Sequence, residues 1–558
     1  MKLQKYIYIV AAIIVVLTLT NCQDLDYNEE TGNTKEDIFN DFARSKNFVS
    51  GIYNYLPTDS NSIDGAIRSA ASDDAEHVND VSNIQNFNNG IWSPIQELDN
   101  VWGTMYSGIR AANVYLKESE GQKFEDLQYT TTYKNLIEQY NNYPFEVRFL
   151  RAYFYFELVK RYKNVPLITT VLTPEESATV KQATFQEVVD FIVKECDEVA
   201  AVLPRDYTAF AGVNETGRAN KGAALALKSR ILLYAASPLH NSNPVDVTLW
   251  QKAAAAAKQV IDLGIYSLVP SYNNVVNNVS LTPLNELILE RREGVSNGFE
   301  SRNFPIGYQG GNTGTCPTQN LVDAYEMKAS GLPITDPASR YNPLNPYNGR
   351  DSRLAQTVLF NGSPWKGTAI ESFFGGKNGL PITNATKTGY YLRKYVVESI
   401  NFDLKLGPVT TRERNWTIFR YGEILLNYAE AMNESYGPTN ASTLGVTALQ
   451  AVNAVRRRAG MPVFPATISQ ADFQTKLRNE RRVELAFEDH RFWDIRRWKI
   501  GDETKNIYAM NITRNTNLSL NYEIKLLEQR AFDKRMYIYP IPQSEIFRNS
   551  NLKQNADW

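Results

Sequence analysis

The chain runs to 558 residues, 43% hydrophobic and 22% charged, the composition of an ordinary water-soluble globular protein. With 59 basic against 61 acidic residues the net charge is −2, and no tail or patch is strongly basic, which speaks against nucleic acid as the main partner. Tyrosine is abundant, 32 residues beside 25 Phe and 8 Trp; a ring with an apolar face and a polar tip suits amphipathic ligands, or the margins of a large helical core.

Lys2 and Lys5 precede an apolar run from Ile7 to Leu19. At about 13 residues it falls short of the roughly 20 that a spanning helix needs, so residues 1–21 read as a secretory signal. Cys22 stands directly at its end, where bacterial lipoproteins are cut and lipidated, although Asn21 takes the place of the usual small residue. Each buried methylene contributes about 0.8 kcal/mol, and stable anchoring needs more than one acyl chain, so Cys22 is expected to carry several. Residues 22–35 hold Asp24, Asp26, Glu29 and Glu30, a polar composition that cannot pack and reads as a flexible tether. Residues 36–558 are expected to form a single domain.

Helical patterning dominates that domain. Phe149, Ala152, Tyr153 and Phe156 recur at helical spacing beside a second stripe of Leu150, Phe154 and Leu158, which predicts a helix buried on two sides. Ala223 to Ala236 is rich in Ala and Leu, and Trp250 to Leu263 ends at Gly264, a helix stop. The patterning predicts helix pairs at 36–55 with 100–117, 146–163 with 184–203, 219–237 with 248–263, and 418–435 with 444–459. Helix pairs of this length suggest tetratricopeptide-like stacking. The predicted class is mainly α, a helical-repeat scaffold with long irregular loops and little β structure.

Residues 265–415 differ, with runs such as Gly310-Gly311-Asn312-Thr313-Gly314 and Gly375-Gly376-Lys377-Asn378-Gly379; residues 59–96 share this character, with Asn83, Asn86, Asn88 and Asn89 leading to Trp92. Long irregular segments in a compact protein usually carry function. Chemistry is sparse. His77, His240 and His490 lie at no metal-ligand spacing, and there is no nucleophile elbow, phosphate loop or zinc-protease motif. Asp73-Asp74-Glu76 offers paired carboxylates, but among 61 acidic residues turns and helix caps account for such clusters. Cys196 and Cys316 read as two separate thiols. No cofactor is indicated, and oxygen ligands are too common for the sequence to place a calcium ion in a loop.

The densest polar block runs from Arg478 to Trp498, with acids and bases nearly alternating. Glu480 and Glu484 share a helical face with Arg481 and Arg478, and the block reads as a structural ion-pair lattice rather than an anion site. The same block, Leu-Arg-Asn-Glu-Arg-Arg-Val-Glu-Leu-Ala-Phe-Glu-Asp-His-Arg-Phe-Trp-Asp-Ile-Arg-Arg-Trp over 477–498, resembles the signature of the SusD/RagB lipoproteins of Bacteroidetes. Glu146 to Val159, Asn164-Val-Pro-Leu167, Ala223 to Ser237, Trp250 to Leu268, Tyr421 to Ala431, Tyr539 to Ile546 and the ending Asn551 to Trp558 resemble further blocks of that family in the same order.

The resemblance implies a non-enzymatic, lipid-anchored protein at the outer surface of the outer membrane. It would bind glycan and sit as a lid on a SusC-like TonB-dependent transporter, with its ligand site in loops resembling 60–100 and 270–390. No short motif carries the site residues over, so candidates follow from chemistry. Trp92, Phe304, Tyr308 and Trp365 are the aromatic candidates for stacking on sugar C–H faces, and Arg68, Asp73, Asn88, Asn89 and Asn312 the polar ones. Trp102 and Trp493 read as core. Capture of peptides or glycopeptides in the RagB manner, a surface glycosidase, and a helical-repeat adaptor that binds only protein are the competing readings.

Overall fold

The computed structural model describes residues 34–60, 62–207, 217–242, 244–276 and 285–558; the expected signal segment, Cys22 and nearly all of the tether lie outside the described residues. The longer helices are α1 (Phe42–Tyr53), α2 (Trp102–Glu118), α3 (Tyr133–Tyr162), α4 (Phe185–Val202), α5 (Lys221–Ala236), α6 (Val247–Asp262), α7 (Tyr421–Tyr436), α8 (Ala448–Arg458), α9 (Gln470–Glu484) and α10 (Arg491–Trp498). Their starts are written in the sequence. Asp41, Asn220, Asp246 and Ser469 cap α1, α5, α6 and α9 with side-chain oxygens, and Thr184 with Glu187 and Thr447 with Gln450 form reciprocal capping boxes at α4 and α8. Among the described residues no helix is long and apolar enough to cross a membrane.

Three of the four expected pairs pack side by side: α3 with α4, α5 with α6 and α7 with α8. The contacts α4–α5 and α6–α7 join them into one continuous stack. The first expected pair is different, because α1 and α2 touch each other but both lie mainly along α3. Close approach there depends on Gly108, where a Cβ would stand 2.7 Å from the Phe154 ring. Helix α3 also starts well before the expected 146 and runs through Pro144. The lost hydrogen bond at Pro144 is outweighed by packing, since residues 149–159 are buried without interruption. One hydrophobic core extends from Phe39 to Leu552.

Among the described residues every sheet is two-stranded. Strands β1 (Ala75–His77) and β3 (Thr315–Pro317) pair antiparallel, as do β2 (Leu287–Ser296) with β4 (Arg412–Arg420), and β5 (Asn506–Arg514) with β6 (Leu520–Gln529). Residues 418–420, expected to open a helix, instead finish β4, and α7 begins at Tyr421.

The charged block forms the expected ion-pair lattice, but its partners are distant in sequence. Glu480 accepts from Arg353 and Arg456, each at 2.7 Å. Glu484 accepts from Arg353, Arg420 and Arg458, and Glu488 from Arg420 and Lys394. The local partners read from the sequence are engaged elsewhere: Arg481 donates to Asp494 and Asn427, and Arg478 lies over the Trp498 ring at 4.8 Å. Burial pushes the Glu484 carboxyl up, and the Arg458, Arg420 and Arg353 guanidinium groups outweigh it, holding it well below the usual carboxylate range. Charges this deeply buried persist only when paired and hydrogen-bonded.

Candidate functional site

The two irregular regions of the sequence meet. The antiparallel pairing of β1 with β3 sets Ala75 opposite Pro317, Glu76 opposite Cys316 and His77 opposite Thr315, so the loop at 60–90 is stitched to the loop at 297–314. His77 Nδ1 lies 2.9 Å from the Gly314 carbonyl, and burial pushes its imidazole below the usual value. The Asn83 N–H donates to the Asp64 carboxylate at 2.9 Å. A third segment, 361–388, joins through its side chains: Thr313 Oγ1 donates to the Asn384 carbonyl, Asn378 Nδ2 to the Ile306 carbonyl, and Lys387 pairs with Asp80.

Exposed on these three segments are the polar Asp64, Arg302, Asn312 and Asn384 and the apolar Phe374, Leu380 and Ile382, exposed by 60%, 46% and 39%. Phe374 is the exposed aromatic plane that the sequence reading missed. It lies in Ser372-Phe-Phe-Gly-Gly376, where the chain turns and the Gly376 N–H donates to the Phe373 carbonyl at 2.8 Å; Phe373 is buried at 6% exposure and Phe374 is left outside. Lys377 Nζ sits 5.6 Å from the Tyr308 ring.

Of the sequence candidates, Phe304, Tyr308 and Trp365 gather into one cluster. Phe304 meets Trp365 edge-on at 5.5 Å, and the Tyr308 hydroxyl donates to the Trp365 carbonyl at 3.2 Å. Phe304 and Trp365 are wholly buried, so they support the loop from beneath and offer no ring face to a ligand; Tyr308 is half-buried and reaches the surface. Trp92 is also core, 3% exposed against Phe87, Tyr539 and Trp558. Arg68 is buried among Asp59, Asp99 and Asp489. Asp73 is clamped by Arg482 and Arg491, and its neighbours Asp74 and Glu76 are taken by Arg482 and Arg530. Asn88 is buried and donates to the Ala70 carbonyl and Gln85. These polar groups already have protein partners, because a buried polar side chain must find one. Asn89 is exposed, its oxygen accepting from the Ile91 N–H. Asn312 is exposed and donates to the Ser301 carbonyl.

A groove of about 700 Å³ lies elsewhere, between α2, residues 166–180 and residues 545–552. Much of its polar lining is committed: Tyr106, Arg110 and Asn113 donate to the carbonyls of Pro166, Leu172, and Ile168 and Thr170, while Arg548 pairs with Glu545. Few groups remain to meet sugar hydroxyls there. Among the described residues no cluster of His, Cys, Asp and Glu assembles as a metal site. Cys196 and Cys316 are both free and buried.

Comparison with known proteins places this architecture. A family model described as starch-binding associating with outer membrane matches residues 25–233, and the SusD family model matches residues 286–558. A SusD-like protein of Formosa agariphila is 25% identical over 98% of this chain and 99% of its own length. Among solved structures, a SusD-like protein from Bacteroides fragilis superposes with a TM-score of 0.77 at 28% identity, covering 95% of this chain and 99% of that one. A SusD-like carbohydrate binding protein from the same species gives 0.73 at 27% identity, covering 92% and 100%. The helical stack, the lattice of α9 and α10, and matches that leave little of the chain uncovered agree: this chain belongs to the SusD/RagB family, a family of SusD-like carbohydrate-binding proteins, one model of which is described as associating with the outer membrane.

Proposed function

We propose that the protein captures glycan on the loop face built from residues 60–90, 297–314 and 361–388 and delivers it to a SusC-like TonB-dependent transporter. It would be held at the outer membrane, facing outward, by lipid on Cys22. The observation that carries this reading is the exposed Phe374 on a segment that also exposes Leu380, Ile382 and Asn384, the last tied by its carbonyl to Thr313, next in sequence to the exposed Asn312. The apolar group covers the C–H face of a sugar ring, and the amides and Arg302 bond its hydroxyl rim. An open surface lets a polymer continue past both ends of the site. Binding rather than hydrolysis is supported by the engagement of Asp73, Asp74 and Glu76 in ion pairs. The carbohydrate-binding relative from Bacteroides fragilis supports the ligand class.

The test is a glycan array, with peptides included, followed by affinity electrophoresis on the best ligand. Loss of one stacking ring removes about 1 kcal/mol, so Phe374→Ala is expected to weaken retention about fivefold to tenfold with an unchanged melting curve, since the side chain is exposed. Undiminished retention by that variant would remove the loop face from consideration.

A further inference from the structure

The hairpin of β5 and β6 has one covered edge and one open edge. On the β5 side, the Phe374 N–H donates to the Ile512 carbonyl and the Met510 N–H to the Thr388 carbonyl. On the β6 side no strand or loop pairs with the backbone among the described residues. Strand β6, Leu-Asn-Tyr-Glu-Ile-Lys-Leu-Leu-Glu-Gln, contains no Gly or Pro. Ile524 and Leu526 are exposed by 47% and 51%. Proteins usually blunt such an edge with Pro, a bulge or an inward charge. Here the one bulge leaves Leu527 of β6 without a partner on β5, toward the C-terminal end of the strand and outside the stretch 522–526, and the edge lysine, Lys525, is neutralised by Glu523 at 3.1 Å.

The residues along the edge are complementary to themselves. We propose that the outer edge of β6 is a homodimer interface in which two copies pair antiparallel about a two-fold axis through Ile524. In that register Ile524 meets Ile524, Tyr522 meets Leu526 on the same face, and Glu523 meets Lys525 on the other face, twice. Directly opposed apolar and opposite-charge pairs are the contacts that stabilise antiparallel strands. The alternatives are worse for a stated reason. Shifting the axis by one residue either way sets Lys525 against Lys525 or Glu523 against Glu523, and a half-step slip sets Lys525 against Ile524 and Glu523 against Leu526. A partner with an unrelated sequence would not require this internal symmetry, so the second copy is the occupant.

A single strand pair is small beside the roughly 1,600 Å² of a standard interface, so the dimer is weak and forms at high concentration. Sedimentation equilibrium of the chain lacking only residues 1–22, up to about 1 mM, is expected to show a growing dimer fraction, with amide exchange slowing over 521–527 as concentration rises. Lys525→Glu sets like charges opposite one another twice and is expected to weaken association at least tenfold. Adding Glu523→Lys to it restores the opposite-charge pairs and the dimer. Both side chains are more than half exposed, and an unchanged melting curve verifies that each variant folds. A monomer at every concentration would assign the edge to a strand of some other protein and overturn the proposal, as would a charge reversal without effect or a double swap that fails to rescue.

Discussion

Trp92 shows how far a residue's surroundings are from its sequence neighbours. Its Asn-rich context suggests an exposed platform, yet its ring centroid lies 4.7 Å from that of Trp558 and 5.0 Å from that of Tyr539, residues at the opposite end of the chain. Nothing local signals that closing segment, so the aromatic that fills the pocket and the aromatic that faces solvent look alike in sequence. Trp92→Ala leaves a cavity in this cluster and is expected to cost about 3–5 kcal/mol, read as a fall in the urea midpoint; an unshifted midpoint would return Trp92 to the surface. Phe374 is the opposite case: it stands at the turn that the Gly376 N–H closes on the Phe373 carbonyl, and no distant segment among the described residues covers it, although Phe373 beside it is buried.

Among elements, α7, α9 and α10 are bound by charge as much as by apolar contact. Burial pushes the Glu430 carboxyl up, but the Arg497 guanidinium, bonded to both its oxygens at 2.6 and 2.7 Å, and the Trp498 indole N–H bring it down to about 2 from an ordinary 4.5. Glu157 is likewise lowered to about 2, burial being outweighed by Lys160 and Arg161. A depressed carboxyl contributes stability that is fully present above about pH 4.5 and is lost as pH falls toward 2. For Glu430 that contribution is about 3 kcal/mol. Urea unfolding across this window should show the wild type losing stability with acid and Glu430→Gln losing less of it; equal slopes would mean the carboxylate is not held down by Arg497. The lattice was legible as alternating charge between 478 and 498, whereas its pairing was not. Glu484 reaches Arg353, Arg420 and Arg458, which three separate elements bring to one point.

At the scale of the whole molecule, helix makes up 43% and strand 12% of the described residues, and one core binds the helix stack to the loop face. The two described cysteines report on that core. Each is wholly buried, and burial pushes the Cys316 thiol up to about 12, so neither presents the thiolate that alkylating reagents need. The chain lacking residues 1–22 is expected to show no titratable thiol when native and two when unfolded in guanidinium; native labelling would indicate opening of the core around β3 or α4.

The amino-acid sequence alone determined the helical class, most of the helix pairs and the family, because helix caps, 3.6-residue periodicity and the charged block at 478–498 act over a few turns and leave their pattern in consecutive residues. It also marked 59–96 and 265–415 as the irregular regions. The tertiary structure alone decided which candidates lie at the surface: it buried Trp92, Phe304, Trp365, Arg68, Asp73 and Asn88 and exposed Phe374. Exposure depends on which distant segments close over a residue, here the C-terminal aromatics and the arginines of α9 and α10, and that information exists only once the chain has folded.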